Sequence, residues 1–410
     1  MSEKRVPELR FKGFDDAWEQ RKLKEVAGFS KGRGYSKSDL VSNGTPLILY
    51  GRLYTKYETV ITAVDTFVVE KENSVFSSGN EVIVPASGES SEDIARASVV
   101  KDSDIILGGD LNVIKPYEEV DSVFLALTIS NGKQQKELSK RAQGKSVVHL
   151  YNTDLKKVEL LYPTKGEQFK IGKFFSTLDN TIALHQRKLE RLKELKRGYL
   201  QMMFPQDGEN IPKMRFGGFE GDWRQRKLGE VSKLGSSKRI HAKDYVDDGV
   251  PFYRGSEISN GAASTSTELY ISEEKYSEIS EQYGVPQKND ILITAVGTIG
   301  NVWKVDNRRF YYKDGNLILL SESSGNADFM VAYLSEGEGK RKILGSSSGS
   351  NQKALTMVKL KEVHLHLPII PEQTAVGVFF STLDTIISFH QQKVNDLTQI
   401  KKAFLQKLFI

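Results

Sequence analysis

The chain has no cysteine among its 410 residues. Disulfides, cysteine-bearing zinc sites and thiol nucleophiles are therefore excluded, and the composition fits a reducing cytoplasm. No run of about 18 apolar residues occurs, so no segment reads as a membrane span. The opening MSEKRVPELRF lacks the apolar core and cleavage site of a secretory signal. Histidine is scarce, at six, and no two of the 11 prolines are adjacent.

What is present is ordinary in bulk and unusual in arrangement. Hydrophobic residues make up 39% and charged residues 27%, enough for globular cores in a chain long enough for two to four structural units. The formal net charge of +5 leans weakly towards an anionic partner.

The arrangement is a duplication. FFSTLD stands at Phe174–Asp179 and again at Phe379–Asp384, 205 positions later. At the same offset VPELRFKGFDDAWEQRKLKEV (Val6–Val26) matches IPKMRFGGFEGDWRQRKLGEV (Ile211–Val231), with Trp18 on Trp223. The stretch Glu167–Phe204 likewise matches Glu372–Phe409. Two halves therefore share a head and a tail, while the stretches between share only a skeleton, such as Pro46 with Pro251. A period this long indicates domain duplication, not a solenoid.

The tails carry a coiled-coil seam. Ile171, Phe175, Leu178, Ile182, His185, Leu189, Leu192, Lys196, Tyr199 and Met203 are spaced four and three in alternation. Val376, Phe380, Leu383, Ile387, His390, Val394, Leu397, Lys401, Phe404 and Leu408 repeat the pattern. Each helix, beginning after Pro163 or Pro371, should run about 37 residues, or roughly 55 Å. Matched seams predict that the two pack antiparallel; the alternative is a core helix within each half. Off the seam, Phe174, Leu184, Leu195, Leu200, Phe379, Phe389 and Leu405 add apolar surface that suggests helices from a partner. Phe174, Phe175, Leu178 and Leu184, with Phe379, Phe380, Leu383 and Phe389, are the candidate partner-binding residues.

The stretches between head and tail read as α/β modules of short strands and Gly, Ser and Asn turns. Their loops are rich in Lys, Arg, Ser and Tyr. Such side chains hold phosphates, and Arg, Asn or Gln can bond base edges; ordinary solvated loops are the alternative. The candidate DNA contacts in the first module are Lys31, Arg33, Tyr35, Tyr50, Arg52, Ser87, Lys145 and Ser146. In the second they are Lys238, Arg239, Tyr253, Arg254, Ser256, Thr298, Ser348, Asn351, Gln352 and Lys353.

Patterns that resemble catalytic motifs break down. AQGKS (Ala142–Ser146) ends like a phosphate-binding loop, but Ser139 stands where the first glycine is needed. Near Ser87, Glu92 replaces the closing glycine of a nucleophile elbow. GRG at Gly32–Gly34 does not extend to a dinucleotide fingerprint. His364 and His366 have no nearby carboxylate pair, which favours a structural role and no metal. The Asp/Asn-Pro-Pro-Tyr/Phe segment of amino-group DNA methyltransferases is absent. No catalytic residue is expected.

With W-x-Q-R-K-L before each module, FFSTLD and HQ on each tail, GTPLILYGR against GVPFYRGSEI, and ILITAVGTIGN, the chain resembles the specificity subunits of type I restriction–modification enzymes over nearly its whole length. The fold expected is α+β: two pseudo-symmetric α/β target-recognition domains joined by two long helices forming an antiparallel coiled coil. Residues 27–155 and 232–360 would be the recognition domains. Residues 1–26 form an N-terminal segment, 156–204 a central helical region, 205–231 a repeated linker and 361–410 the C-terminal helical region. The resemblance implies no cofactor in this chain, a bipartite double-stranded DNA target, and two modification subunits carrying S-adenosylmethionine for adenine-N6 methylation. It further implies up to two restriction subunits using ATP and Mg, no membrane, and a bacterial cytoplasmic setting. A coiled coil of that length corresponds to about 16 bp of duplex. The alternative is a duplicated protein-interaction scaffold that reads no DNA.

Overall fold

The computed structural model of the chain describes residues 6–144, 147–206, 208–259, 261–349 and 353–409. Contacts divide it into two compact units, Met1–Gln186 with Gln392–Ile410, and Arg187–Gln391. The division falls inside both long helices rather than at their ends.

The repeated heads and tails build equivalent frames. The QRK stretch of each head forms a strand, Glu19–Lys22 or Arg224–Lys227, and pairs antiparallel with Glu159–Tyr162 or His364–Leu367 ahead of the tail helix. The next leucine closes the frame: Leu23 N–H donates to Val158 O and Leu228 N–H to Val363 O, each at 2.8 Å. Trp18 and Trp223, both 2% exposed, anchor the two main cores.

The modules differ in sequence but share the strand order of a common core, to which the first adds an edge strand on each sheet. The first unit has a sheet ordered Ala27–Lys31, Leu111–Pro116, Glu81–Pro85, Ser98–Val100 and Val60–Ile61. The second orders Lys233–Gly235, Leu317–Ser321, Ile291–Thr294 and Val302–Lys304 in the same way. A second sheet runs Leu40–Val41, Phe67–Val68, Thr45–Ile48, Ser103–Leu107 and Phe76–Ser78 in one unit. Its counterpart runs Tyr245–Val246, Tyr270–Ile271, Val250–Tyr253 and Tyr311–Tyr312. The central strands Glu81–Pro85 and Ile291–Thr294 are buried throughout, as expected of apolar runs covered on both faces. The apolar stretches SVFLALTI and ADFMVAYLS form helices Ser122–Ile129 and Ala327–Ser335.

The long helices span Lys165–Met202 and Ile370–Leu408. Pro163 precedes the first, as expected, but Pro371 lies inside the first turn of the second. A proline is tolerated there because the first N–H groups need no intrahelical acceptor. The true counterpart of Pro163 is Pro368: Gln168 Nε2 donates to Pro163 O at 2.8 Å, and Gln373 Nε2 to Pro368 O at 2.9 Å. The same glutamines accept from Asp121 N–H and Asn326 N–H, each at 2.9 Å, tying each long helix to the N-cap of a module helix. The adjacent glutamates bind heads to tails. Arg10 clasps Glu167 with two bonds of 2.8 Å, and Arg215 clasps Glu372 at 2.6 and 2.7 Å.

All twenty seam positions are buried or half-buried. In the first unit Phe174 packs edge-on against Phe404 at 5.0 Å, and Phe175 meets Phe409 at 6.0 Å. In the second, Tyr199 packs against Phe379 at 5.1 Å and Phe204 against Phe380 at 5.7 Å. Phe174 meets Phe404 and Asp179 meets Lys401, as Lys196 meets Asp384 and Tyr199 meets Phe379, so residue numbers rise on one helix as they fall on the other and the helices pack antiparallel within each unit. The exchange is reciprocal. Phe204, from the first half, is enclosed by Trp223, Phe329, Tyr333 and Phe380. Phe409, from the second, lies on Phe124 and Phe175.

Candidate nucleic-acid interface

One loop in each module repeats in register and builds the site. After the helix Gly132–Arg141 the chain pinches: Gln143 N–H donates to His149 O at 3.0 Å, and His149 N–H to Gln143 O at 2.8 Å. Exactly matched by the 205-residue offset, Ser348 and Ala354 exchange bonds of 3.0 and 2.9 Å. Each loop then docks on the end of the central strand, through Leu150 N–H to Ala86 O at 3.0 Å and Leu355 N–H to Ala295 O at 2.9 Å. The predicted contacts Lys145, Ser146, Asn351 and Gln352 fall on these loops but lie outside the described residues. Ser348 is a hinge of the second pinch and Lys353, exposed, follows its tip.

In the first unit the pinch gathers several predicted residues. Val148–His149 pairs with Ser87–Gly88, which places Ser87 Oγ 3.3 Å from His149 Nδ1. The imidazole stacks on Tyr151 at 6.0 Å, and Lys31 Nζ stands 5.5 Å from the Tyr151 ring. Tyr54 donates its hydroxyl to Ser87 O at 2.9 Å and carries Tyr50 on its edge at 6.4 Å. Burial pushes the Tyr54 phenol pKa upward, so it remains a donor. Gly88 leaves room for this bond, since a Cβ would sit 2.7 Å from the Tyr54 hydroxyl and displace it. Lys31, Tyr50 and Ser87 thus share one patch, with Ser87 itself only 8% exposed. Arg33 is exposed, and its backbone N–H bonds Leu107 O at 3.0 Å.

Three other predicted contacts are internal. Arg52 donates to Glu58 at 2.7 Å, Asp65 at 2.8 Å and Ala63 O at 2.9 Å, and its side chain is 8% exposed. It clamps its own loop and offers nothing to a phosphate. Tyr35, at φ 59°, bonds Ser74 Oγ at 2.6 Å and accepts from Lys71 N–H at 2.7 Å. Tyr253 is 2% exposed and donates to Ser264 O at 3.0 Å.

The second unit arranges its cations differently. Arg254 is held by Glu257 at 2.8 Å, and Ser256 Oγ bonds the same carboxylate at 3.0 Å. Burial alone would raise the Glu257 pKa, but the Arg254 bonds outweigh it and hold that carboxyl low. Arg254 and Ser256 therefore brace a turn. Arg239, exposed, pairs with Asp314 at 2.8 Å. Lys238 Nζ lies 5.0 Å from the Tyr283 ring, and its N–H donates to the Tyr311 hydroxyl at 2.7 Å. Thr298 is exposed at the crown of a tight loop in which Thr294 Oγ1 donates to Thr298 O at 2.5 Å. Lys340 Nζ caps Gly300 O, and burial lowers the pKa of that amine.

Sequence reasoning missed His149, Tyr151, Tyr54 and Lys340. The alternation in VVHLY, which sets His149 and Tyr151 two apart, was the available signal for the first pair. Lys340 and Tyr54 are joined to the site only by tertiary packing. Among the described residues no group of three His, Asp or Glu side chains could hold a metal ion. No described helix is long and apolar enough to cross a membrane.

The candidate partner-binding residues separate into two sets. Phe175 and Phe380 are fully enclosed in the cores of their own units, and Phe174, Leu178, Phe379 and Leu383 are at least half-covered there. Phe175 and Phe380 hold the helices in place, whereas Phe174, Leu178, Phe379 and Leu383 keep part of their surface open, Phe174 and Leu178 beside Phe11 in an apolar surface groove. Leu200, at 2% exposure, is core as well. Leu184 at 58%, Phe389 at 60% and Leu195 at 45% remain open.

Known proteins share this organisation. The profile of the type I restriction modification DNA specificity domain matches twice, over residues 15–194 and 220–399. A Methanocaldococcus jannaschii protein described as the type I restriction enzyme MjaX specificity subunit is 24% identical over 333 residues, covering 78% of this chain and 75% of its own. The MjaVIII specificity subunit of the same organism is 21% identical over 66% of each chain. The crystal structure of a type I restriction-modification S subunit from M. genitalium superposes with a TM-score of 0.68 at 17% identity, over 99% of both chains. With both of its modules inside matched copies of that domain, the chain belongs to the type I restriction-modification DNA specificity family.

Proposed function

We propose that each module reads one half of a split duplex target and that the chain carries this reading to separate catalytic subunits. The observation that carries the proposal is the pinched loop that recurs at the same offset on both modules, docked on the same strand end and carrying different side chains. A common scaffold with divergent loops is what two readers of two different sequences need. The chain is the non-catalytic recognition component, as its family is. The partners are two modification subunits, which hold S-adenosylmethionine and methylate adenine N6 in each half-site. Up to two restriction subunits join with ATP and Mg, and the complex works in the bacterial cytoplasm. Leu184, Leu195 and Phe389, exposed on the long helices, are the apolar side chains a helical partner would cover. The helices, 38 and 39 residues long, set the number of unread base pairs between the halves.

The deciding experiment exchanges residues 27–155 for the corresponding module of another specificity subunit and maps methylated adenines by sequencing. One half of the modified sequence should change and the other should persist. An unchanged sequence, or a change in both halves, refutes the assignment.

A further inference from the structure

The two pinched loops are geometrically alike, yet the chemistry around them is not. In the first unit Lys31, Ser87, His149 and Tyr151 form one connected patch: ammonium near the ring at 5.5 Å, ring stacked on imidazole at 6.0 Å, imidazole Nδ1 at 3.3 Å from a hydroxyl. The patch is built, not incidental. Asn152 Nδ2 donates to Ser30 O at 2.8 Å, which fixes the strand end bearing Lys31 against the segment bearing Tyr151. The Asn152 Oδ1 is buried with no partner, an acceptor left open in the same seam. Tyr54 bonds the backbone of Ser87 from below. Tyr151 remains 42% exposed.

The equivalent positions of the second module hold Ser236, Val296, Ala354 and Thr356. None is aromatic or ionisable. Thr356 is spent as a helix N-cap, accepting from Lys359 N–H. The second module therefore has no version of this patch.

We infer that Lys31, His149 and Tyr151 are the direct DNA contacts of the first module, so that the two halves of the target are read by different chemistry. Lys31 and the Tyr151 hydroxyl hold one phosphate. His149 reads a base edge. Ser87 occupies Nδ1 and so leaves Nε2 as the open hydrogen-bonding position; whichever tautomer Ser87 selects, Nε2 is then a defined donor or acceptor. Such a group discriminates between base edges in the major groove. The inference rests on the reading that each module serves one half-site.

The test uses the full chain assembled with its modification partner and the duplex identified by mapping its methylated adenines. Lys31→Ala and Tyr151→Phe should each weaken binding about tenfold, and Lys31→Ala should lower the salt slope by about one. His149→Ala should relax the base preference at one position of the first half and leave the second half unchanged. The more conservative His149→Gln and the melting temperature of each variant separate recognition from folding. If both His149 variants stay folded and keep the first-half preference, the inference fails. A preference lost equally in both halves overturns it too. Exchange of residues 27–155 serves as the control. If that exchange moves the first half while the point variants do not, only this inference falls; if it moves nothing, the reading beneath it falls as well.

Discussion

Lys401 Nζ stands 2.5 Å from Asp179 Oδ1, and at the same 205-residue offset Lys196 meets Asp384 at 2.6 Å. Both lysines are polar breaks in the seam, as are His185 and His390, and both aspartates close the repeated FFSTLD. In each pair the lysine comes from one tail and the aspartate from the other. An apolar residue there would pack in several registers, whereas the lysine finds its carboxylate in one. Asp179 also accepts from Thr59 Oγ1 at 3.1 Å, linking the seam to the module above it.

These pairs are part-exposed, so their energetic share is small. Asp179→Asn should cost up to about 1 kcal/mol, with a coupling to Lys401 of similar size in a double-mutant cycle. Urea unfolding of the four variants measures it. Zero coupling would remove the pair from the account of register.

The head-to-tail clasps are different, because Glu167 and Glu372 are each 1% exposed at their side chains. Arg10→Met leaves a buried carboxylate alone and should cost about 3–5 kcal/mol, whereas Arg10→Met with Glu167→Met should recover much of that. Denaturant midpoints check the order. A double variant no better than the single would show that the clasp stabilises beyond charge compensation.

Arg52 separates a folding role from a reading role. Arg52→Ala should cost about 1–3 kcal/mol and leave methylation specificity intact in whatever fraction stays folded. Lys56 chiefly, with Arg52, holds the Asp65 pKa at about 2, below its ordinary 3.8. A depressed carboxyl stabilises the fold above its unfolded pKa, and that contribution fades as pH falls from near 4 towards 2. Asp65→Asn should flatten that part of the acid-unfolding curve.

His366 gives the second unit a sensitivity nearer neutrality. Burial lowers its pKa from 6.5, Lys342 lowers it further, and Glu338 opposes them. The unfolded chain therefore takes up a proton before the folded one, so stability is full above about pH 6.5 and declines as pH falls below it. The melting temperature of His366→Gln should fall less than that of the parent between pH 7 and 5. Parallel curves would contradict this.

Two glycines at equivalent places make a graded test of packing. A Cβ on Gly377 would stand 2.5 Å from Asn326 Oδ1 and 2.7 Å from Phe329 N, while one on Gly172 would meet its nearest atom at 3.3 Å. Gly377→Ala should destabilise by about 1–3 kcal/mol and Gly172→Ala by less. Equal midpoints for the two variants would sink the comparison.

The duplication, the seam and the module strands were legible because each is a local pattern. Four–three spacing is a property of helix geometry, and all twenty seam residues are covered accordingly. The candidate recognition residues were harder. Lys31, Tyr50 and Ser87 do converge, but Arg52, Tyr253 and Arg254 are spent on internal partners that composition does not reveal. A basic loop residue looks the same in sequence whether it faces solvent or its own glutamate. Phe175 and Phe380 were similarly ambiguous, since a core anchor and a docking residue are both simply apolar.

The amino-acid order alone established two copies of one plan, the periodicity of the long helices and the divergence of the stretches between them, because repeats and local periods need no partner to be read. Tertiary structure alone decided that each long helix ends in the core of the other half, that EQ clasps head to tail, and that His149 and Tyr151 join Lys31. Those facts depend on groups far apart in the chain meeting in space, and only burial and hydrogen-bond satisfaction, settled for the whole fold at once, select which of them meet.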